Sequence, residues 1–137
     1  GPGGANEGEQ PMIYGIGTDL VRTDRMEKSL ASPAFLRRVF GEEERAFLLS
    51  LAPRKQPESA GANFAAKEAF LKACGTGIGG FALCEIQVLR AESGAPYYAL
   101  TGQAAAWLEE NRLTAHLSLS HDGGLAQAFT VLERTGD

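Results

Sequence analysis

The sequence predicts an α+β domain in which helices pack on an antiparallel sheet. Segments with a two-residue alternation recur at 12–20, 84–89, 97–100, 115–120 and 125–133, and helical patterns occupy 24–30, 33–40, 42–51, 62–73 and 102–111. The later strands come in pairs. Glu92-Ser93-Gly94-Ala95 and His121-Asp122-Gly123-Gly124 read as hairpin turns, which make the strands they join antiparallel neighbours. One strand, several helices, a hairpin, a helix and a second hairpin is the element order of an α+β fold.

With 137 residues and 44% hydrophobic content, the chain has the size of one domain and enough apolar side chains for a core. Residues 1–11, GPGGANEGEQP, carry no apolar period and read as a leader or cleavage scar, leaving 12–134 as the domain. The net charge of −4 argues against a nucleic-acid footprint, which needs clustered lysine and arginine. No apolar run reaches the length of a membrane span. Cys74 and Cys84 lack metal-site or disulfide-framework spacing and read as small buried residues. A soluble, cytoplasmic protein is expected.

The first strand, MIYGIGTDL, places Met12, Tyr14, Ile16, Thr18 and Leu20 on one parity and Ile13, Gly15, Gly17 and Asp19 on the other. Two glycines clear the face from which Asp19 projects, as happens where a ligand or another backbone comes close. Asp24-x-x-Glu27 resembles a capping box opening a short helix, and Ser32-Pro33 opens the next. Glu42 to Leu51 has glutamates at its start, where the helix dipole favours them. Residues 52–61, APRKQPESAG, read as a loop because they hold two prolines and no apolar period.

The chemistry concentrates in NFAAKEAFLKACGTGIG, residues 63–79. Phe64, Glu68 and Lys72 stand at successive i, i+4 positions, so Glu68 and Lys72 share a face, while Lys67 projects about 100° away. Spacing alone gives a solvated ion pair. However, Ala62, Ala65, Ala66, Ala69 and Ala73 leave little bulk around the helix, so another element or a ligand can approach it. The glycines from Gly75 onward allow positive φ and can turn N–H groups toward an anion, although Gly75 is equally explained as a helix C-cap. Two carboxylates, Asp19 and Glu68, with one lysine and a glycine loop suit magnesium and phosphoryl transfer. Ser120-His121-Asp122 is no catalytic triad, because adjacent residues cannot take triad positions.

Three segments in this order resemble the holo-acyl-carrier-protein synthases, the single-domain 4′-phosphopantetheinyl transferases: Gly15-Ile16-Gly17-Thr18-Asp19-Leu20-Val21, Phe64-Ala65-Ala66-Lys67-Glu68-Ala69-Phe70 with Lys72 and Gly75-Thr76-Gly77-Ile78-Gly79, and Ser118-Leu119-Ser120-His121-Asp122. The resemblance implies the fold of that family and transfer of the phosphopantetheine arm of coenzyme A to a serine of an apo acyl carrier protein. Magnesium dependence and a role in fatty acid biosynthesis are implied with it. Asp19 and Glu68 are the implied metal ligands. Lys72 is implied to lie on the attacked phosphate, and Glu68 to take the serine proton, directly or through a metal-bound water. Gly75, Thr76, Gly77, Ile78 and Gly79 would line the coenzyme, with His121 near its nucleotide end. Arg25, with Arg38 and Arg45 extending the patch, would grip the acidic carrier. The resemblance also implies a homotrimer with sites between subunits.

Two positions depart from the family pattern. Asn63 stands where an arginine is common, and Ser93-Gly94-Ala95-Pro96 lacks the usual lysine of that turn. Both changes remove positive charge that would assist phosphate or nucleotide contact. Asn63 keeps open a non-catalytic module that binds coenzyme or carrier, and the same acidic and basic groups would also serve a magnesium-dependent hydrolase of nucleotide pyrophosphates.

Overall fold

A computed structural model describes residues 12–75 and 81–135. Strand β1 (Ile13–Arg22) is followed by helices α1 (Asp24–Leu30), α2 (Pro33–Val39), α3 (Glu42–Ser50) and α4 (Gln56–Cys74). The hairpin β2 (Ile86–Arg90) and β3 (Pro96–Leu100), helix α5 (Gly102–Glu110), and the hairpin β4 (Leu113–Asp122) and β5 (Leu125–Arg134) complete the described elements. The expected leader, residues 1–11, and the loop residues Thr76, Gly77, Ile78 and Gly79 lie outside the described residues.

The strands form two sheets among the described residues where one was expected. β5 is the centre of an antiparallel sheet ordered β1-β5-β4, and β2 pairs only with β3. The β4–β5 hairpin closes over Gly123 and Gly124, whose φ values of 57° and 81° are those of a two-residue turn that follows strand twist. In β1 the register slips between Ile13 and Gly15, so Tyr14 is an extra residue against β5. That bulge frees Tyr14 from strict alternation and lets its ring meet Trp107, with centroids 5.8 Å apart.

Helix α4 runs through the middle of the molecule. Ala65, Ala66 and Ala69 are buried with Ala128 and Val88. Against β1 the approach is closer still: a Cβ on Gly17 would collide with the Ala69 carbonyl oxygen and stand 2.8 Å from the Ala73 nitrogen. Gly15 meets the Ala73 carbonyl in the same way. The cleared face of β1 and the small residues of the helix are thus one contact between two backbones. Larger side chains complete the core on either side, with Phe70, Ile86 and Leu132 in one cluster and Val39, Phe40 and Leu48 in another.

Two local expectations are corrected. Residues 56–61 are the first turns of α4 rather than loop, because Pro57 falls in the first turn, where its missing N–H removes no helical bond. Asp24 and Glu27 form no capping box: the N-cap is Thr23, which makes no side-chain cap bond, and Asp24 pairs with Arg22 at 3.1 Å. The carboxylate half of such a box occurs instead at α3, where the Gly41 N–H donates to Glu44 Oε1 at 3.1 Å. Gln87 Oε1 takes the N–H groups of Glu43 and Glu44 at 3.0 and 3.2 Å. Ser32 caps α2 as expected, accepting from the Phe35 N–H. No helix among the described residues is long and apolar enough to cross a membrane.

Candidate active site

The packing of α4 on β1 fixes where the predicted groups meet. Lys72, in the last turn of α4, donates to the Thr18 carbonyl at 2.9 Å and to Asp19 Oδ1 at 3.2 Å. The Asp19 side chain is 20% exposed and that of Lys72 56%, so the contact sits at the rim of the helix–strand seam with one side in solvent. Thr18 is held in turn: its hydroxyl donates to the Ala128 carbonyl at 2.9 Å and accepts from Gln127 Nε2 at 3.3 Å.

Glu68 lies one helical turn before Lys72 and is half-buried. Its side chain makes no hydrogen bond or ion pair with another described residue, so the Glu68–Lys72 ion pair that spacing allows is not formed; Lys72 is taken by β1. The seam therefore presents a carboxylate paired to an ammonium and, a turn away, a second carboxylate whose side chain has no partner among the described residues. Such a set can neutralise phosphate charge and accept a proton.

Of the other described candidates, Gly75 follows directly on the last turn of α4, and His121, Arg25, Arg38 and Arg45 lie elsewhere. Gly75 ends α4 with φ 99°, its N–H on the Lys72 carbonyl at 3.2 Å, as a C-cap glycine. His121 is at the other end of α4, its Nδ1 2.9 Å from Glu58 Oε2. About 25 Å of helix separates the Glu58 and Gly75 levels at 1.5 Å per residue. A cavity of about 260 Å³ beside His121 is lined by Leu20, Ser120, Asp122, Leu125 and Gln127. Arg25 on α1 is exposed, and Arg38 on α2 is exposed with its guanidinium 5.8 Å from the Phe35 ring centre. Arg45 is tied to the Phe40 carbonyl at 2.7 Å.

Asn63 does not face this seam, which corrects its reading as lost charge at a phosphate contact. It is fully buried on the far side of α4, donating to Glu44 Oε2 at 2.9 Å and to the Val88 carbonyl at 3.0 Å. Lys67, one turn along, is also fully buried and lies 2.7 Å from Glu44 Oε1. Burial raises the Glu44 carboxyl and lowers the Lys67 ammonium from their ordinary values, and the opposite charge of each resists the change in the other. Sequence reasoning missed this pair. The available signal was the i, i+4 spacing of Asn63 and Lys67, which puts two polar residues on one face of a helix otherwise rich in alanine.

Comparison with known proteins places this chain in a family. Residues 15–129 match the 4′-phosphopantetheinyl transferase superfamily. The holo-[acyl-carrier-protein] synthase of Trichlorobacter lovleyi is 44% identical over 89% of this chain and 98% of its own. That of Treponema denticola is 41% identical over 89% and 99%. Among solved structures, the Neisseria meningitidis holo-[acyl-carrier-protein] synthase superposes with a TM-score of 0.80 at 35% identity, covering 90% of this chain and 100% of that one. The Bacillus anthracis enzyme, in complex with CoA (3',5'-ADP), gives 0.76 at 35% identity over 91% and 100%. The chain belongs to the 4′-phosphopantetheinyl transferase superfamily, among its holo-acyl-carrier-protein synthases.

Proposed function

We propose that this protein transfers the 4′-phosphopantetheine arm of coenzyme A to a serine hydroxyl of an apo acyl carrier protein, as its relatives' names describe for them. The observation that carries the reading is the Asp19–Lys72 contact one turn from Glu68, whose side chain has no partner among the described residues, in a chain similar to holo-acyl-carrier-protein synthases over about nine-tenths of its length. The serine oxygen bonds to the phosphorus next to the pantetheine arm. The bridging P–O bond breaks, and adenosine 3′,5′-bisphosphate leaves with that oxygen. Glu68 accepts the serine proton, directly or across one water, and Lys72, with its half-exposed side chain, offsets charge on the transferring phosphate.

The residues fit a divalent cation of the magnesium type. Asp19 and Glu68 are both oxygen donors, and the described residues contain no group of three or more His, Cys, Asp or Glu that would make an all-protein cage. Magnesium commonly takes one or two carboxylates and completes its shell with water and phosphate oxygens. Asp19 and Glu68 would hold the ion, which when bound supplies charge neutralisation on the pyrophosphate.

The assembly is a homotrimer with sites between subunits, working in the cytoplasm. Ile16, Leu20, Leu125 and Phe129 are 59%, 59%, 40% and 46% exposed. They stand on the face of the β1-β5-β4 sheet opposite α4, because Ile16 pairs with Val131, Thr18 with Phe129 and Leu20 with Gln127. An apolar sheet face of this kind favours burial against another copy. The separation of His121 from Gly75 along α4 fits a coenzyme contacted by two chains. Arg25 and Arg38, both exposed, present basic groups for the acidic carrier, and Arg45, its guanidinium held on the Phe40 carbonyl, adds a third.

Adenosine 3′,5′-bisphosphate release tests the reading. Release that depends on apo carrier protein supports transfer; release with coenzyme A alone indicates a hydrolase, and calorimetric binding without release indicates a binding module. Asn63 no longer favours the module, since its side chain belongs to the buried network.

A further inference from the structure

Behind the face that carries Glu68 and Lys72, α4 holds a second charged set that no step of the transfer uses. Lys67 and Glu44 are fully buried and every polar position of the pair is occupied. The three N–H groups of Lys67 meet three acceptors: Glu44 Oε1 at 2.7 Å, the Ile86 carbonyl at 2.7 Å and the Leu83 carbonyl at 3.1 Å. Glu44 Oε1 also accepts from the Gly41 N–H, and Oε2 accepts from Asn63 and from the Val88 N–H at 3.2 Å. Asn63 Oδ1 accepts from Arg90 at 2.9 Å, and the Arg90 guanidinium lies 5.1 Å from the Phe47 ring centre. The set ties α4 to the start of α3, to the turn before β2 and to β2 itself.

The polarity of this set is directional. Backbone carbonyls surround the ammonium and backbone N–H groups surround the carboxylate, so the two charges cannot exchange places. The opposite side of α4 is different in kind: alanines lie on Gly15 and Gly17, with no interlocking side chain at those positions to resist rotation of the helix about its axis. At the level of these glycines the angular setting of α4 depends on its other faces; the Lys67 side carries the buried charged set, the Tyr98 hydroxyl holds the Ala66 carbonyl at 2.6 Å, and Lys72 meets β1 at the helix end. Any rotation there draws Lys72 away from Asp19 and turns Glu68, the residue next to Lys67, with it.

We propose that Glu44 and Lys67 are positioning residues of the transfer reaction, pinning the rotation of α4 so that Glu68 and Lys72 are presented at the Asp19 end of β1. The proposal rests on the transfer reading above and puts neither residue on the substrate. A buried ion pair is a weak source of net stability, because desolvation offsets the attraction, and fixing a register is its better-attested use.

The double substitution Glu44→Gln/Lys67→Met tests it without stranding a buried charge. The folded double variant is expected to keep its KM for coenzyme A within about twofold and to lose about tenfold or more in kcat, since small misplacements of reacting groups cost up to ~10²-fold. A crystal structure of it is expected to lack the Lys72–Asp19 contact. A folded variant with wild-type kcat, or with a change confined to KM, overturns the proposal, as does a retained contact. If the double variant does not fold, Asn63→Ala removes one donor to Glu44 and leaves both charges; kcat is then expected to fall about two- to fivefold at constant KM. An unchanged kcat there overturns the proposal as well. A wild-type protein that transfers nothing would remove the transfer reading, while the contact in the variant crystal structure still decides the positioning role.

Discussion

Lys72 donates to both the Thr18 carbonyl and the Asp19 carboxylate, at 2.9 and 3.2 Å, and so joins the last turn of α4 to β1. Glu68, on the same helix a turn earlier, joins nothing among the described residues. The two charged residues thus have separable effects on the fold: replacing Lys72 removes a contact between α4 and β1, whereas replacing Glu68 removes no side-chain contact among the described residues.

Glu68→Gln preserves shape and disturbs no side-chain bond among the described residues. Its melting temperature is expected to match the wild type, and its kcat to fall about 10²-fold or more, the usual loss when a general base is removed. Calorimetry and steady-state kinetics on one preparation check both halves.

Gly17→Ala acts on the seam itself. The added Cβ collides with the Ala69 carbonyl and meets the Ala73 nitrogen at 2.8 Å, both backbone atoms of α4 that no rotamer change can relieve. The helix must move off the strand, at a cost of about 1–3 kcal/mol or more. Urea denaturation reads this as a lower midpoint, and because the seam carries Asp19 and Lys72, activity is expected to fall as well.

Alkaline stability reports on Cys74. Burial pushes its thiol from 9.0 up to about 12. An unfolded chain releases that proton near its ordinary value while the folded chain keeps it, so the folded state binds more protons in between. The contribution is constant below about pH 9 and is lost as pH rises toward 12. Tyr98, whose hydroxyl burial also pushes up, acts in the same direction, whereas Lys67, which burial lowers, acts against it. Comparing the pH slope of the urea midpoint in wild type and Cys74→Ala isolates the thiol, and the variant is expected to have the shallower alkaline decline.

Arg25→Glu is expected to raise KM for the carrier protein several-fold, about 1 kcal/mol, with kcat nearly unchanged, because reversing a rim charge acts on encounter more than on chemistry. The effect should shrink as salt is added. Lysine at this position should behave much like the native arginine.

Much of this architecture was legible in the sequence because it is written in local chemistry. The hairpin glycines Gly123 and Gly124 marked their turn, the Ser32-Pro33 start of α2 was readable from its cap, and the glycines of β1 announced a close approach. What approaches them was not readable. The same small residues would admit a ligand, and only the tertiary arrangement shows that the alanine face of α4 fills the space. The Pro57 turn was missed because a proline reads as a breaker unless its place in the helix is known. Lys67 and Glu44 were missed for a related reason: 23 residues of separation leave no periodic trace, and a lysine in sequence carries no mark of burial. The nearness of Asp19 and Lys72 was expected through family resemblance, since their separation of 53 positions is equally silent.

The most direct test of the central claim is the intact mass of an apo acyl carrier protein incubated with coenzyme A, magnesium and either wild-type protein or Glu68→Gln. The wild type is expected to add ~340 Da, the mass of the phosphopantetheine arm delivered by phosphoryl transfer, and the variant to leave the carrier unchanged. An unmodified carrier with active-site residues intact, or an equal gain with Glu68→Gln, would contradict it.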